Sequence, residues 1–212
     1  MSDIIELKNI CKSYDGKKLF DDFCLTIEQG DYIAITGKSG AGKSTLLNII
    51  GLLESTDSGD YSIFGIKNPE IGSKDGVWLL RYKLGYLFQN FGLVDNQTVE
   101  YNLKLASKFK KWTKEFEKDK FKEVLDTVGL SGIEKKKIYQ LSGGEQQRIA
   151  VAKLMLKSPD VILADEPTGS LDAANRDIIM NLIEKMHRDG KTIVLVTHDE
   201  KVKLCAEKEL KL

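Results

Sequence analysis

The sequence predicts an α/β protein, in which a mostly parallel sheet is covered by helices, with an N-terminal antiparallel β sub-domain and an inserted α-helical sub-domain. Three observations lead to this prediction. The last third of the chain alternates apolar, strand-like runs with helical patterns, as βαβ units do. Residues 4–10 and 19–27 alternate apolar and polar side chains, which is typical of half-buried antiparallel strands. Residues 99–128 instead repeat apolar side chains at helical spacing.

The chain length of 212 residues fits one domain with a sub-domain better than two independent domains. We therefore expect residues 1–212 to form a single domain. Its core is predicted at about residues 1–88 and 159–212, and the helical sub-domain at about residues 89–158.

Each element is predicted from its local pattern. Strands are expected where side chains alternate or form short apolar runs, and the Asp-Gly pair at 15–16 predicts the turn between the first two strands. Helices are expected where apolar residues recur every three or four positions, as in Leu105, Phe109, Trp112 and Phe116. In chain order we predict strands at 4–10, 19–27 and 32–36, a helix at 46–53, strands at 61–64 and 84–88, helices within 99–128, a helix at 145–156, a strand at 161–164, a helix at 173–188 and a strand at 192–196.

Composition excludes several classes of protein. The chain has 32 Lys+Arg and 32 Asp+Glu, and this neutrality argues against a dedicated nucleic-acid binder. The three cysteines, Cys11, Cys24 and Cys205, are far apart and form no CxxC motif, so we expect idle thiols in a reducing compartment. Because the apolar runs are too short to cross a membrane and the first residues lack a signal-peptide core, we expect a soluble, cytoplasmic protein.

The strand predicted at 32–36 is followed by a glycine-rich segment with the pattern GxxxxGK[ST], at Gly37, Gly42, Lys43 and Ser44. Its backbone N–H groups can turn inward around phosphates, and the helix that follows presents its N-terminus to negative charge. Lys43 can reach the β- and γ-phosphates, and the Ser44 hydroxyl can ligate Mg²⁺. We therefore predict a P-loop NTPase core whose nucleotide-binding loop comprises Gly37, Lys38, Ser39, Gly40, Ala41, Gly42, Lys43, Ser44 and Thr45.

The strand predicted at 161–164 ends in two acids, Asp165 and Glu166. A buried strand that finishes with two carboxylates needs a cation or hydrogen bonds to compensate their charge. Beside the phosphate-binding loop, Asp165 is suited to a Mg²⁺ site. Glu166 is then suited to orient and deprotonate a water molecule next to the γ-phosphate.

The segment Leu-Ser-Gly-Gly-Glu-Gln-Gln-Arg at 141–148 allows two interpretations. Ser142 and Glu145 have the spacing of a helix capping box. A capping box does not require Gly143 and Gly144, which are unfavourable in a first helical turn and would let a phosphate approach closely at a second positive helix end. One nucleotide cannot easily use two such cradles on one surface, so this segment suggests a site shared between two chains.

With these three motifs in this order, the chain resembles the ATP-binding subunits of ABC transporters over nearly its whole length. Within that family, residues 80–81, 85–89 and 98–102 resemble the bacterial class that serves lipoprotein release, macrolide or peptide export, and cell-division hydrolase control. The sequence at 48–54 is also similar to that of lactococcin-type bacteriocin-export ATPases.

The resemblance assigns roles to further residues. Gln89 matches the glutamine that senses Mg²⁺ and the γ-phosphate, and His198 matches the histidine that contacts the γ-phosphate. Together with Glu166 they form the expected catalytic set. Ser170 and Asp172 match the loop that communicates between paired subunits, and Tyr14 stands where the family stacks an aromatic ring on adenine.

The resemblance also implies the partners. It implies an ATPase, with ATP and Mg²⁺ as cofactors, that forms a homodimer around ATP. Each ATP would be held by Lys43 and Ser44 of one chain and by Ser142 and Gly144 of the other. Separate transmembrane permease subunits would hold the protein at the inner face of the cell membrane, and the output would be bacterial export of a peptide, bacteriocin, lipoprotein or drug.

Some residues have an alternative interpretation. Tyr14 lies beside an Asp-Gly turn, where ordinary packing is common, and His187 is expected to be a surface or capping residue. An apolar segment contains Phe88, Phe91, Leu93 and Val94. It could be a docking surface for a membrane subunit, or it could equally pack in the core.

Two other functions compete with transport. A non-transport ABC ATPase could signal through membrane subunits to cell-wall hydrolases. A generic phosphate-loop kinase or GTPase is disfavoured, because the chain has no guanine-reading Asn-Lys-x-Asp motif and the segment at 141–148 would be unexplained.

Overall fold

The computed structural model describes residues 2–212, and within them the chain forms nine strands and seven α-helices. In chain order these are β1 Asp3–Tyr14, β2 Lys17–Glu28, β3 Tyr32–Thr36, α1 Lys43–Ile50, β4 Ser58–Ile63, β5 Ile66–Lys67, α2 Lys74–Tyr82, β6 Leu84–Leu87, α3 Val99–Ser107, α4 Lys114–Thr127, α5 Gly143–Lys157, β7 Val161–Asp165, α6 Ala173–Arg188, β8 Thr192–Val196, α7 Glu200–Lys203 and β9 Lys208–Lys211. None of the helices within residues 2–212 is long and apolar enough to cross a membrane.

The central sheet has five parallel strands in the order β6-β7-β8-β3-β9. Successive side chains of β3 point to opposite faces: Ile33 and Ile35 pack into one apolar cluster, and Tyr32 and Ala34 into the other. Because the strands are parallel, their carboxyl ends share one edge of the sheet, and the loops that follow β3, β6, β7 and β8 meet there.

The second sheet is antiparallel, with the order β2-β1-β4-β5. Leu7 of β1 pairs with Leu25 of β2 on one side and with Tyr61 of β4 on the other. One buried apolar cluster joins this sheet to α1 and to one face of the parallel sheet, through residues such as Ile5 and Leu46. The antiparallel sub-domain therefore draws on residues 58–67 as well as on the N-terminal strands.

Helices α3 and α4 pack against α5, with Leu103, Phe121 and Leu125 buried between them. The same buried cluster continues through α5 to Ile162 of β7 and to α6. The helical sub-domain thus shares its core with the sheet, because α5 packs on both. Its division from the core at residue 158 stays a prediction.

Local patterns located most elements, and strands 32–36 and 192–196 and helix 173–188 have the predicted bounds. The helix predicted at 46–53 was displaced by a few residues. It begins at Lys43, because Gly42 turns the chain with a φ of 96°, and it ends at Ile50, before Leu52 adopts a φ of 55°.

The apolar spacing through residues 105–116 wrongly suggested one helix. The helical pattern is interrupted after Ser107, and α4 begins only at Lys114, where the Thr113 side chain accepts a hydrogen bond from the Phe116 N–H at 3.3 Å. Strand β9 was not predicted, since its polar side chains carry no apolar signal and it pairs with β3 through the backbone. Helix α2 was also missed, because a nine-residue helix that buries only Gly76 and Leu79 has too short a pattern.

Candidate nucleotide-binding site

A cleft opens at the carboxyl edge of the parallel sheet. Leu19 and Val196 line part of this cleft. Its other lining residues were all predicted, from separate motifs: Tyr14, Ser39, Gly40, Gly42, Lys43, Ser44, Thr45, Gln89, Asp165 and Glu166. They meet because the loops after three strands of the sheet, together with the end of β1, converge at this edge.

The loop between β3 and α1 forms a cradle for an anion. Gly37, Gly40 and Gly42 all have positive φ, which turns consecutive backbone N–H groups toward one side. As a glycine, Gly42 has no side chain to cap the first N–H groups of α1, which leaves them for a phosphate. A Cβ at Gly42 would also lie 2.9 Å from Phe20 Cζ. The Lys43 ammonium donates to the carbonyls of Gly37 at 2.9 Å and Lys38 at 3.0 Å, which holds its charge at the loop.

Ser44 and Asp165 bring two hard oxygen donors together. The Ser44 hydroxyl donates to Asp165 Oδ1 at 3.2 Å. Burial raises the pKa of Asp165 above its ordinary value, while the hydrogen bond from Ser44 opposes this change. Within residues 2–212 no cluster of three His, Cys, Asp or Glu side chains could enclose a metal ion by itself. One carboxylate and one hydroxyl beside a phosphate cradle instead suit Mg²⁺, which uses few protein ligands together with phosphate oxygens.

Glu166 follows β7 in an uncommon backbone conformation, with a φ of 46°. Its N–H donates to the Val196 carbonyl at 3.0 Å, which fixes the turn to the end of β8. The carboxylate is mostly buried, and its Oε1 lies 2.7 Å from Nδ1 of the exposed His198. The arrangement holds a carboxylate at the cleft, where it can accept a proton from water.

Gln89 is exposed and enters the cleft two residues after β6 ends. Two contacts fix the residues that precede Gln89. The Tyr86 hydroxyl donates to Asn48 Oδ1 of α1 at 2.6 Å, and the Tyr86 ring stacks on Phe88 with centroids 4.3 Å apart. Contacts between β6 and the phosphate-binding helix therefore set the position of Gln89.

The first turn of α5 carries the capping box that the sequence predicted. The Ser142 side chain accepts from the Glu145 N–H at 3.3 Å, and Glu145 Oε2 accepts from the Ser142 N–H at 2.8 Å. These hydrogen bonds lower the pKa of Glu145. Ser142 and Gly143 are exposed and, within the described chain, lie outside the cleft lined by the phosphate loop.

Gly144 is also constrained by packing within its own chain. We predicted that both glycines admit a phosphate, which stays a prediction, and in addition a Cβ at Gly144 would lie 2.5 Å from the Asn175 side chain of the same chain. Asn175 Oδ1 accepts from Arg148 at 3.0 Å, and its amide donates to Asp172. Gly144 is therefore required by packing between α5 and α6. A Cβ at Gly143 would meet only Phe91, at 3.8 Å.

The loop before α6 is organised by Asp172, whose side chain caps the helix by accepting from the Asn175 N–H at 2.8 Å. This hydrogen bond lowers the pKa of Asp172. Ser170 and Asp172 are both exposed, and their part in communication between subunits stays a prediction. In the same loop, the Pro167 carbonyl accepts from Gln147 of α5 at 2.6 Å.

Sequence reasoning missed Asn175, and it also missed the polar contacts behind Tyr14. The Tyr14 hydroxyl is hydrogen-bonded to Glu54, and Lys12 lies beside both. Each of these contacts joins residues far apart in the chain, so no local pattern marks them. His187 is a half-buried residue whose Nε2 contacts the Gly30 carbonyl at 2.8 Å, and it takes no part in the cleft.

Comparison with known proteins agrees with this geometry. The ABC transporter family model matches residues 20–169. The macrolide export ATP-binding/permease protein MacB of Hyphomonas neptunium is 36% identical over 213 residues, which cover 99% of this chain and 33% of that protein. MacB of Chlorobaculum tepidum is 38% identical over 200 residues, 92% of this chain and 31% of that protein. The chain thus spans about a third of the length of these curated relatives.

Among solved structures, the chain is similar to the dimeric ATP-binding cassette MJ0796 in a post-hydrolysis state with ADP and phosphate. The TM-score is 0.89 at 36% identity, and the match covers 99% of this chain and 94% of that one. Because the family model matches more than half of the sequence and this fold carries the cleft described above, the chain belongs to the ABC transporter family and is an ATPase that uses ATP and Mg²⁺.

Proposed function

We propose that two copies of the chain pack head to tail around two ATP molecules and power a transporter. The observation that carries this proposal is the first turn of α5, whose Ser142 and Gly143 are exposed and lie outside the cleft of their own chain. A helix N-terminus with an exposed hydroxyl is suited to the phosphates of a nucleotide bound by a second copy. The dimeric structure of MJ0796 supports this arrangement.

In this dimer each chain contributes to hydrolysis through its own cleft. Lys43 and the N–H groups of the phosphate loop hold the β- and γ-phosphates, and Ser44, Asp165 and Gln89 would hold the metal ion. Bound Mg²⁺ supplies positive charge that offsets the charge developing on the phosphates. Glu166 accepts the proton of the attacking water, and His198 orients Glu166 and the γ-phosphate.

The partner chain would complete the site with Ser142 and the N–H groups of residues 143–145. Gly144 contributes only through its backbone in this proposal, since Asn175 occupies the space beside its Cα. Ser170 and Asp172 are exposed, and Asp172 accepts a hydrogen bond from Asn175, which packs against Gly144 in the first turn of α5. In this proposal both residues contact the other copy. ATP binding would close the dimer, and loss of phosphate would open it.

A groove beside Gln89 is the proposed docking site of the permease subunits. Phe88 and Phe91 line it together with the partly exposed Leu105. Lys153 and Lys157 also line it, and their ammonium groups donate to backbone carbonyls, of Gly92 at 2.7 Å and of Leu80 at 2.6 Å, and not to a carboxylate. Burial lowers the pKa of both ammonium groups, that of Lys157 to about 8. A docking segment that is apolar with an acidic side chain suits this groove.

The relatives named as macrolide exporters support export as the direction of transport. Together with the sequence resemblance, they favour a peptide, bacteriocin, lipoprotein or drug as the cargo. The chain would then work at the inner face of the cell membrane. Transport by vesicles that contain the chain and its permease tests this output. ATP hydrolysis without solute movement would indicate signalling to cell-wall hydrolases instead.

The dimer is tested with Glu166→Gln, which keeps the size of the side chain but removes the base. We expect this variant to bind ATP, to hydrolyse it at least about 100-fold more slowly, and to form a dimer with ATP in size-exclusion chromatography. Adding Ser142→Arg should abolish the dimer without affecting ATP binding by the monomer. Hydrolysis by Glu166→Gln at the wild-type rate, or hydrolysis insensitive to Ser142→Arg, would contradict the proposal.

A further inference from the structure

The side chain of Tyr14 is held in place by a polar cluster that the catalytic residues do not use. Tyr14 is the last residue of β1, and its ring lines the cleft although it is 45% exposed. Its hydroxyl is hydrogen-bonded to Glu54 Oε1, in the loop after α1. An exposed ring at the end of a strand would otherwise be free to leave the cleft.

Lys12 contacts the same carboxylate oxygen of Glu54. Its ammonium lies 3.1 Å from Glu54 Oε1 and donates to the Ser55 carbonyl at 2.8 Å. The side chain of Lys12 is only 10% exposed, so these partners, together with Asp57 Oδ1 at 3.8 Å, replace the solvent around its ammonium. The same ammonium lies 5.1 Å from the centre of the Tyr14 ring, within the range of a cation–π contact. A base can therefore stack only on the opposite face of the ring.

The cluster also connects the ring to the phosphate-binding helix. The N–H of Glu54 donates to the Asn48 carbonyl of α1 at 3.3 Å, and that of Leu53 to the same carbonyl at 2.9 Å. Helix α1 begins at Lys43, directly after the phosphate cradle. The hydroxyl end of the ring is thus connected to the cradle through one helix and a short loop, in addition to the placement of the Tyr14 backbone by β1.

We propose that Glu54 and Lys12 are positioning residues for nucleotide binding, which hold Tyr14 at the distance from the phosphate loop that a nucleoside phosphate requires. The proposal rests on the base-stacking role of Tyr14 that the family resemblance implies. Because the ring is ordered before the nucleotide arrives, binding does not have to immobilise it. The cluster acts on the base end of the ligand only, and the phosphate end is bound by the loop.

The test compares Mg²⁺-dependent binding of ADP and of inorganic pyrophosphate, neither of which is hydrolysed during the titration. Calorimetry on the full chain gives both dissociation constants. The key variant is Tyr14→Phe, which keeps the ring and the Lys12–Glu54 pair and removes only the hydroxyl. If the ring merely stacks, Phe serves as well as Tyr, and nothing changes.

We expect Tyr14→Phe and Glu54→Ala each to weaken ADP binding about two- to tenfold, the size of the penalty for immobilising one side chain. Pyrophosphate binding should stay unchanged. The double variant should be no weaker than either single variant, because both break the same contact. Tyr14→Ala should weaken ADP binding more, by about five- to 100-fold, since it removes the stacking itself.

The matched control is Glu123→Ala, which breaks an exposed ion pair with Lys120. Both residues belong to α4, which contributes no residue to the lining of the cleft. It should leave both dissociation constants unchanged. Wild-type ADP affinity in both Tyr14→Phe and Glu54→Ala would overturn the positioning role while leaving the stacking role intact. Wild-type affinity in Tyr14→Ala would overturn both. Equal weakening of ADP and pyrophosphate binding would also overturn the proposal, because it would indicate a change in the phosphate loop.

Discussion

At the scale of single residues, the cleft depends on side chains held by contacts that leave them little freedom. Glu166 has a positive φ, a conformation that costs a residue other than glycine about 1–3 kcal/mol, and the hydrogen bond from its N–H to Val196 helps to hold it there. His198 is anchored through Glu166 while most of its ring faces solvent. The carboxylate thereby has one fixed partner and one open side, which faces the cleft.

We expect His198→Ala to lower the turnover number about tenfold or more and to leave the dissociation constant for ATP nearly unchanged. Without the ring, Glu166 loses the partner that fixes its Oε1. Steady-state ATPase kinetics together with ATP titration separates the two effects. A large loss of ATP affinity with normal turnover would contradict this assignment.

Ser142 has a structural role apart from any contact with a second chain. Its side chain caps α5, so we expect Ser142→Ala to lower the free energy of unfolding by about 1 kcal/mol. Urea denaturation at neutral pH measures this. Glu145→Gln is the matched variant, since glutamine can also close a capping box.

The Glu145 carboxylate adds a pH dependence with a definite sign. Hydrogen bonds from Ser142 lower its folded-state pKa, so the ionised group stabilises the folded chain at pH values above its ordinary pKa. This contribution should be lost as the pH falls through the lowered value. The difference in stability between the wild type and Glu145→Gln should therefore shrink in acid, and a difference that grew in acid would contradict it.

At the scale of elements, the packing of α5 against α6 links the segment at 141–148 to the loop that follows Glu166. Gly144 lets the Asn175 side chain lie against α5, where it contacts Arg148 and Asp172. Gln147 reaches the Pro167 carbonyl in the same loop. The first turn of α5 and the loop before α6 therefore form one connected unit.

We expect Gly144→Ala to lower the free energy of unfolding by about 1–3 kcal/mol, because its Cβ would displace Asn175 from both partners. Asn175→Ala in the same chain should recover part of that loss by removing the clash. Denaturant unfolding of the two single variants and the double variant measures the coupling. Additive effects would contradict this explanation of Gly144.

At the scale of the whole molecule, the parallel sheet gathers the cleft at one edge, and the two apolar clusters lie on its opposite faces. Both ends of the cleft are attached to α1, through the phosphate loop at its N-terminus and through Asn48 near its C-terminus. A nucleotide that fills the cleft therefore contacts elements from both sheets. Its binding should stabilise the molecule as a unit.

We expect Mg²⁺ and ADP, which does not close the dimer, at about 100 times the dissociation constant to add about 2.7 kcal/mol to the free energy of unfolding of the wild type, a rise in Tm of roughly 5–10 °C. Scanning calorimetry measures this shift. Lys43→Ala, which removes the ammonium from the loop, should abolish most of it. A shift of the same size in Lys43→Ala would rule out this site as the origin of the stabilisation.

Much of the fold and of the site could be predicted from local patterns. The strands at 32–36 and 192–196 were predicted because each is a short, mostly apolar run, and the capping box because its two members are three residues apart. Strand β9 could not be predicted, since its four residues include a single apolar side chain and it pairs with β3 through the backbone. The end of α3 was missed because apolar spacing continues through the loop after Ser107.

The sequence by itself determined the phosphate loop, since Gly42, Lys43 and Ser44 are consecutive and a loop that enters a helix forms its cradle from neighbouring N–H groups. It also determined the family, through the order of three such local motifs. Only the tertiary structure decided why Gly144 is a glycine and what holds Tyr14. Those contacts join Asn175 to Arg148, 27 residues apart, and Glu54 to Tyr14, 40 residues apart. Packing between elements brings such pairs together, and a pattern confined to one segment carries no record of it.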